Sequence, residues 1–208
     1  MQIGILGSGN IGASAAGVFA RAGHHVRIAN SRGPESLESV CAEIGPNAEA
    51  STAQDAVDAS DLVLIAVPWT KREEALGEIE GWDEKIVVDA MNPYTEDFEV
   101  EDLGSKTATE FTRALVPGAR VVKAFNTLFY KRLASEGKPK GAPDRLAIPV
   151  ASDDPAAKRV VMDLIEEIGF DAVDNGGLVE GGRKQQPGSP IYNQPLGAKE
   201  MRDHLTRA

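Results

Sequence analysis

Six residues near the amino terminus, Gly7-Ser8-Gly9-Asn10-Ile11-Gly12, constrain this chain more than any other feature. They follow an apolar run, Gln2–Leu6. They open a stretch, Ile11–Ala22, that sets Ile11, Ala15, Val18, Phe19 and Ala22 on one stripe. A GxGxxG pattern between a strand and a helix is the form that takes a dinucleotide. Gly7 permits the tight turn, Gly9 lets backbone approach a pyrophosphate, and Gly12 lets the helix pack near the strand. The helix N-terminus then offers free N–H groups and a partial positive charge to the phosphates. The alternative is a glycine turn needed for packing alone.

The rest of the chain repeats the same alternation. Apolar runs predict strands over Gln2–Leu6, His25–Ala29, Leu62–Val67, Ile86–Ala90, Arg120–Ala124, Leu146–Ala151 and Ala172–Asp174. Most are continuous in Val, Ile and Ala, as expected when both faces of a parallel sheet are covered. Helical spacing falls between them, over Ile11–Ala22, Pro34–Ile44, Trp69–Ile79, Thr107–Leu115 and Pro155–Ile168. This order predicts an α/β fold with a Rossmann-type, doubly wound, mostly parallel sheet. Residues 1–175 form the expected nucleotide-binding domain. Residues 176–208 form a C-terminal loop and short helix, an acceptor lid or a dimer contact. Two stretches break the pattern: the acidic Tyr94–Lys106, and Gly176–Pro195, rich in Gly, Pro and polar residues. Loops that long inside a compact domain are usually functional or mobile.

The end of the second predicted strand selects the nucleotide. NAD sites usually place a carboxylate about 20 residues after the glycines, to bond the ribose 2′-hydroxyl. This chain has Asn30, Ser31 and Arg32 there instead. Ser31 can donate a hydrogen bond to a 2′-phosphate, and Arg32 can pair with it and stack on adenine. The expected cofactor is therefore NADP(H).

Ligands of such sheets lie beyond the strand C-ends, near the reversal of strand order. The segments there are Val67-Pro68-Trp69-Thr70, Asp89-Ala90-Met91-Asn92-Pro93 and Phe125-Asn126-Thr127. Pro68 and Trp69 are candidates for one wall of a nicotinamide pocket, unless Trp69 is a core aromatic. Asn92, Asn126 and Thr127 can bond a carboxamide or a substrate carbonyl, although Asn92-Pro93 also fits a plain turn. No residue stands out as catalytic, so these five are positioning candidates. His24, His25 and His204 lie away from this edge, and no set of residues has metal-ligand or Ser/His/Asp spacing. The cofactor would then carry the chemistry, with the protein supplying orientation and exclusion of water. Lys123 and Tyr130 are the remaining proton-donor candidates.

Charge narrows the partners. With 22 basic and 32 acidic residues the net charge is −10. A chain this acidic is a poor general binder of nucleic acid or anionic membrane, which need clustered Lys and Arg. Residues 1–104 carry 6 basic and 19 acidic side chains, and the rest carry 16 and 13. Seven basic residues fall within Arg120–Arg145, either as ordinary surface spacing or as a landing area for an anionic substrate. The single Cys41 excludes a disulfide framework. No apolar run reaches the length of a membrane span, and the start reads as a strand and not a signal peptide. A cytoplasmic location is expected.

The segments GILGSGNIG, ANSRGP, LIAVPW and VVKAFNT together resemble the NADP oxidoreductases that exchange hydride with the 8-hydroxy-5-deazaflavin coenzyme. They are also similar to the NADPH domain of the six-transmembrane metalloreductases, which reduces a flavin. The resemblance implies that Ser8, Gly9, Asn10 and Ile11 hold the pyrophosphate. It implies that Ser31 and Arg32 hold the 2′-phosphate, and that Pro68-Trp69 lies by the nicotinamide. It further implies a homodimer whose C-terminal region helps form the acceptor pocket. The chain departs from archaeal members in carrying Asn126 where they have His. Its tail, GGRKQQPGSPIYNQPL, is polar where theirs is apolar and helical. Both departures fall at the acceptor end.

Three readings follow. The first is an NADP-dependent oxidoreductase that moves hydride between nicotinamide and a flavin-like or deazaflavin co-substrate. The second keeps NADPH but reduces a small carbonyl or imine, and needs a proton donor. The third is a non-catalytic NADP-sensing protein. Hydroxyacid dehydrogenases carry a large helical second domain for which this chain has no room.

Overall fold

A computed structural model describes residues 1–207. Six parallel strands form the main sheet: β1 (Gln2–Leu6), β2 (His25–Ala29), β3 (Ala48–Ala50), β4 (Leu62–Ile65), β5 (Ile86–Asp89) and β6 (Arg120–Lys123). Their order is β3-β2-β1-β4-β5-β6, so the direction of winding reverses between β1 and β4. In-register pairs such as Leu6 with Ala29 and Ile65 with Asp89 bring all C-ends to one edge.

The sheet is buried on both faces, and the period of two along each strand divides its core. Ile3, Ile5, Leu62, Leu64, Val88 and Val122 point into one cluster, with Phe19 of α1 (Asn10–Arg21), Leu133 of α6 (Tyr130–Ser135) and the apolar face of α7 (Pro155–Glu167). Leu6, Val63, Ile65, Val87 and Val121 point into the other. That side also takes residues from α3 (Ala53–Asp58), α4 (Arg72–Leu76), α5 (Ala108–Leu115) and α8 (Leu178–Lys184). The Pro34–Ile44 segment opens as a 3-10 turn, Pro34–Leu37, before α2 (Glu38–Ile44). The Trp69–Ile79 segment divides in the same way, a 3-10 turn over Trp69–Lys71 preceding α4.

The last two expected strands do not join the parallel set. β7 (Ala147–Val150) and β8 (Asp171–Asp174) pair only with each other. One antiparallel bridge ties them to β6, through Lys123 N–H to Ala151 O at 2.8 Å and Ala151 N–H to Lys123 O at 3.0 Å. The Gly176–Pro195 stretch is also more ordered than its composition implies, because it contains α8. A Cβ at Gly181 would strike the Asn175 carbonyl and come within 2.5 Å of the Ala151 methyl, so this glycine permits close packing. Beyond it, α9 (Ala198–Arg207) buries Met201 and Leu205 against Ala147 and Val173.

Internal ion pairs account for most of the basic stretch. Arg145, 2% exposed, meets Glu166 at 2.7 Å and Asp171 at 2.6 Å. Arg120 grips Asp154 with two bonds of 2.6 and 3.1 Å. Lys123, Arg132, Lys138 and Lys140 are paired as well. The landing-area reading therefore loses its support, because among the described residues all of these charges but Lys131 are already met.

Three carboxyls of the β7–β8 unit lie below the ordinary carboxylate range. For Asp154 the Arg120 guanidinium is the main cause. For Glu166 and Asp174 burial pushes upward most strongly. Hydrogen bonds outweigh it, from Arg145 and Ala172 N–H in one case and Lys158 and Gly176 N–H in the other. A carboxyl whose folded pKa is depressed adds stability that is complete above its unfolded pKa and lost as pH falls. Unfolded carboxyls titrate near about pH 4. Amide exchange in β7 and β8, corrected for intrinsic rate, is therefore expected to accelerate between about pH 5 and pH 3. Strands β1 and β4 are expected to follow only at lower pH, and the reverse order contradicts the account.

Candidate functional site

The glycine turn presses α1 against the end of β1. Gly7 has φ of 105°, and a Cβ there would strike the Ala66 carbonyl. A Cβ at Gly12 would strike the Gly7 carbonyl. Gly9 differs: among the described residues nothing lies within 4 Å of where its Cβ would stand. Its lack of a side chain serves no contact inside the protein and leaves open space in front of the helix. Among the described residues no side chain caps α1, and its first turn carries no acidic residue. The first-turn N–H groups and the positive end of the helix thus face that space, which fits a pyrophosphate.

At the end of β2, Asn30 acts as a brace. Its amide N–H groups reach Ser8 Oγ at 3.1 Å and Ser36 Oγ at 3.0 Å, and its oxygen accepts from Arg32 N–H at 2.9 Å. Ser31 and Arg32 are exposed, and Arg32 makes no ion pair among the described residues. Asn30 is therefore spent on holding the loop, while the serine and the guanidinium stay available for a 2′-phosphate beside the glycine turn.

The C-ends of β4, β5 and β6 form the other half of the edge. Val67 is half-buried and Pro68 exposed, whereas Trp69 is 2% exposed. The Trp69 indole N–H donates to Glu101 at 2.5 Å, its ring meets Phe111 edge-on at 5.9 Å, and Arg72 covers it at 3.9 Å. Its ring belongs to the core beneath the edge, so only Pro68 and Val67 remain to form a wall. Beside them Asp89 and Lys123 are both fully buried, 3.2 Å apart. Asp89 also accepts from Met91 N–H at 2.9 Å and Thr112 Oγ1 at 3.1 Å, and Lys123 donates to Met91 O at 2.5 Å. Burial lowers the Lys123 ammonium pKa, against the pull of Asp89. Lys123 is thus a fastening for the Ala90–Pro93 turn and not a proton donor to substrate.

The two asparagines lock together across this edge. Asn92 donates to Asn126 O at 3.0 Å and to Tyr192 Oη at 3.3 Å. Asn126 donates to Asn92 Oδ1 at 3.0 Å and to Gln185 O at 2.8 Å. Every amide hydrogen of the pair is used within the protein, so neither has one left for a substrate carbonyl. Asn126 Oδ1 and both amide atoms of Gln185 are buried without a protein partner among the described residues. Thr127 is buried, and its carbonyl accepts from Asn193 N–H at 2.8 Å. Phe125, just before Asn126, has φ of 65° although it is not glycine. Such strain persists where surrounding structure imposes it, often at sites of function.

Tyr94, which no motif marks, holds its hydroxyl 3.2 Å from that of Tyr192. It lies in the stretch set aside as irregular. The Asp89–Lys123 pair left a clearer signal: one carboxylate and one ammonium, each closing its strand directly after two valines, paired in register. Removing one partner of a buried pair leaves the other charge unmet. Asp89→Ala is expected to destabilise by about 3–5 kcal/mol, and Asp89→Leu with Lys123→Met by much less. Urea unfolding distinguishes these outcomes, and equal losses contradict the pairing account.

Comparisons with known proteins bear on the fold and on the class of cofactor. The model of the family described as NADP oxidoreductase, coenzyme F420-dependent, matches residues 2–93. That span covers the glycine turn, Ser31-Arg32, the β4 end and Asn92. A stretch of 54 residues is 48% identical to the Escherichia coli (strain K12) protein YjhV, spanning 26% of this chain and only 39% of that one. Among solved structures, a hypothetical protein of Sinorhizobium meliloti is 38% identical, with a TM-score of 0.86 over 94% of this chain and 95% of that one. A candidate F420-dependent NADP-reductase of an Arthrobacter species is 27% identical, with a TM-score of 0.73 over 86% of each chain. The Mycobacterium tuberculosis 3-hydroxyisobutyrate dehydrogenase, 19% identical with a TM-score of 0.63, shares the fold over 87% of this chain but 56% of its own. Residues 2–93 thus carry the pattern of the NADP oxidoreductase, coenzyme F420-dependent, family, and the chain is an NADP-dependent oxidoreductase.

Proposed function

We propose that this protein moves a hydride between the nicotinamide of NADP(H) and a planar acceptor of the deazaflavin or flavin type. The observation that carries the reading is the layout of a single sheet edge. Gly9 and the uncapped α1 terminus face open space at β1, and Ser31 and Arg32 stand free at β2. Pro68 and the Asn92–Asn126 lock lie along the same edge at β4 to β6. A dinucleotide laid along it has its phosphates at the helix end and its reactive ring beside Pro68.

In this reading NADPH supplies the hydride, and the protein supplies placement. The α1 N–H groups and Arg32 hold the charged end, and the resulting fixed orientation replaces a bimolecular encounter. Within the C-terminal region, residues 185–193 serve as the roof of the acceptor end. Support for that role comes from the bonds of Asn193 to Thr127, Tyr192 to Asn92, and Gln185 to Asn126. A second reading, reduction of a small imine or carbonyl, draws on one specific observation: the Tyr94–Tyr192 pair puts phenol O–H groups at this edge.

Stopped-flow mixing of the NADPH-loaded protein with a panel of deazaflavins, flavins and cyclic imines tests the reading. Oxidation of NADPH with a deazaflavin or flavin at about 1–1,000 per second is the expected result. No acceleration with any of these two ring classes contradicts it, and acceleration by imines alone transfers support to the second reading.

A further inference from the structure

We infer that Tyr192 is a proton-donating catalytic residue, acting on an acceptor that carries a C=N group, directly or through conjugation. This rests on the hydride-transfer reading and adds to it the fate of the proton. Tyr192 does not belong to a loose tail. Its neighbour Ile191 is 1% exposed, and Asn193 N–H binds the carbonyl of Thr127 at the end of β6 at 2.8 Å. The backbone N–H of Tyr192 binds Ser189 O at 3.0 Å. These contacts hold its hydroxyl 3.3 Å from Asn92 Nδ2 and 3.2 Å from Tyr94 Oη, over the C-ends of β5 and β6.

The hydrogen-bond inventory favours donation. One N–H of Asn92 is taken by Asn126 O, and the other points at Tyr192 Oη. The phenol oxygen therefore accepts from an amide held by the asparagine lock, and that amide stabilises negative charge as it forms. Tyr94, half-buried, connects the pair to the outside. Burial, followed by the Tyr94 hydroxyl, pushes the Tyr192 phenol above its ordinary range, so it is protonated before the step, and the Asn92 N–H offsets that burial as the proton leaves.

The nicotinamide C4–H bond breaks with its electron pair, and a C–H bond forms on the acceptor carbon. The π electrons move to the acceptor nitrogen. The Tyr192 O–H bond breaks, and an N–H bond forms there. Tyr94 then passes a proton to Tyr192 and recovers one from water. NADPH is oxidised, and the acceptor is reduced by two electrons and gains one proton. An 8-hydroxy-5-deazaflavin, with its conjugated C=N, and a simple cyclic imine share this requirement.

Single-turnover oxidation of NADPH by the full chain, with an 8-hydroxy-5-deazaflavin in one arm and a five-membered cyclic imine in the other, provides the test. Tyr192→Phe is expected to slow transfer by about 100- to 10,000-fold and to remove the solvent isotope effect. The isotope effect of deuterium on nicotinamide C4 and the dissociation constant of NADPH should stay as in the unmodified protein. Tyr94→Phe should slow transfer less, because water still reaches Tyr192. The arm that shows the loss identifies the acceptor class. Tyr192→Phe transferring at the original rate, with the original solvent isotope effect, overturns the assignment. If the unmodified protein transfers no hydride to either probe, the hydride-transfer reading itself is what fails.

Discussion

The approach of α1 to the end of β1 is the constraint on which the rest of the site depends. It exists because two side chains are missing. A methyl at Gly7 or Gly12 would collide with backbone carbonyls, which cannot move aside as a flexible side chain can. With those atoms absent, the helix starts directly at the strand end and aims its unpaired N–H groups outward. The third glycine, Gly9, is free of any such demand within the protein. That contrast separates glycines that build the turn from the one that leaves room for a ligand. Parallel pairing then carries the same edge across β4, β5 and β6, so the phosphate end and the reactive end of one extended ligand share a surface.

A second device fixes the far end of that edge. The Asp89–Lys123 pair is a costly thing to bury, and apolar replacements of similar volume are often no less stable. What it supplies here is position. Met91 N–H and O are both tied to it, which sets the Ala90–Pro93 turn and hence Asn92. Asn92 in turn binds Asn126 and Tyr192, so a buried charge pair, two amides and a phenol form one connected network. The C-terminal stretch is part of this network and packs as structure: α8 lies on α5, and α9 closes over β7 and β8.

Much of this is readable from residue order alone, for physical reasons that differ by element. Continuous apolar strands such as Leu62–Ile65 and Ile86–Asp89 are visible because burial on both faces leaves no polar alternation. The edge strand Ala48–Ala50 is three residues long and only partly buried, so it carries almost no pattern. Helix α3 is hard to see because its main signal is local, a Thr52 cap accepting from Asp55 N–H. The partition of β7 and β8 from the main sheet depends on a single antiparallel bridge, which no periodicity encodes. Trp69 reads equally well as pocket wall or core, and only the Glu101 and Phe111 contacts decide it. The basic stretch looks like a binding surface until its carboxylate partners, distant in sequence, are brought beside it. The same is true of Tyr94 and Tyr192, which are 98 residues apart and meet only in the folded chain.

The nucleotide end of the site is therefore dictated locally, by glycines and a short strand end. The acceptor end is assembled from four distant segments. Titration calorimetry of NADPH and NADH against the full chain tests the former most directly, because everything at the acceptor end presupposes the phosphorylated nucleotide. NADPH is expected to bind at least about tenfold more tightly than NADH, a difference of about 1.4 kcal/mol, with most of the gap lost in Arg32→Ala. Equal or tighter binding of NADH, or a gap that survives Arg32→Ala unchanged, would contradict the account.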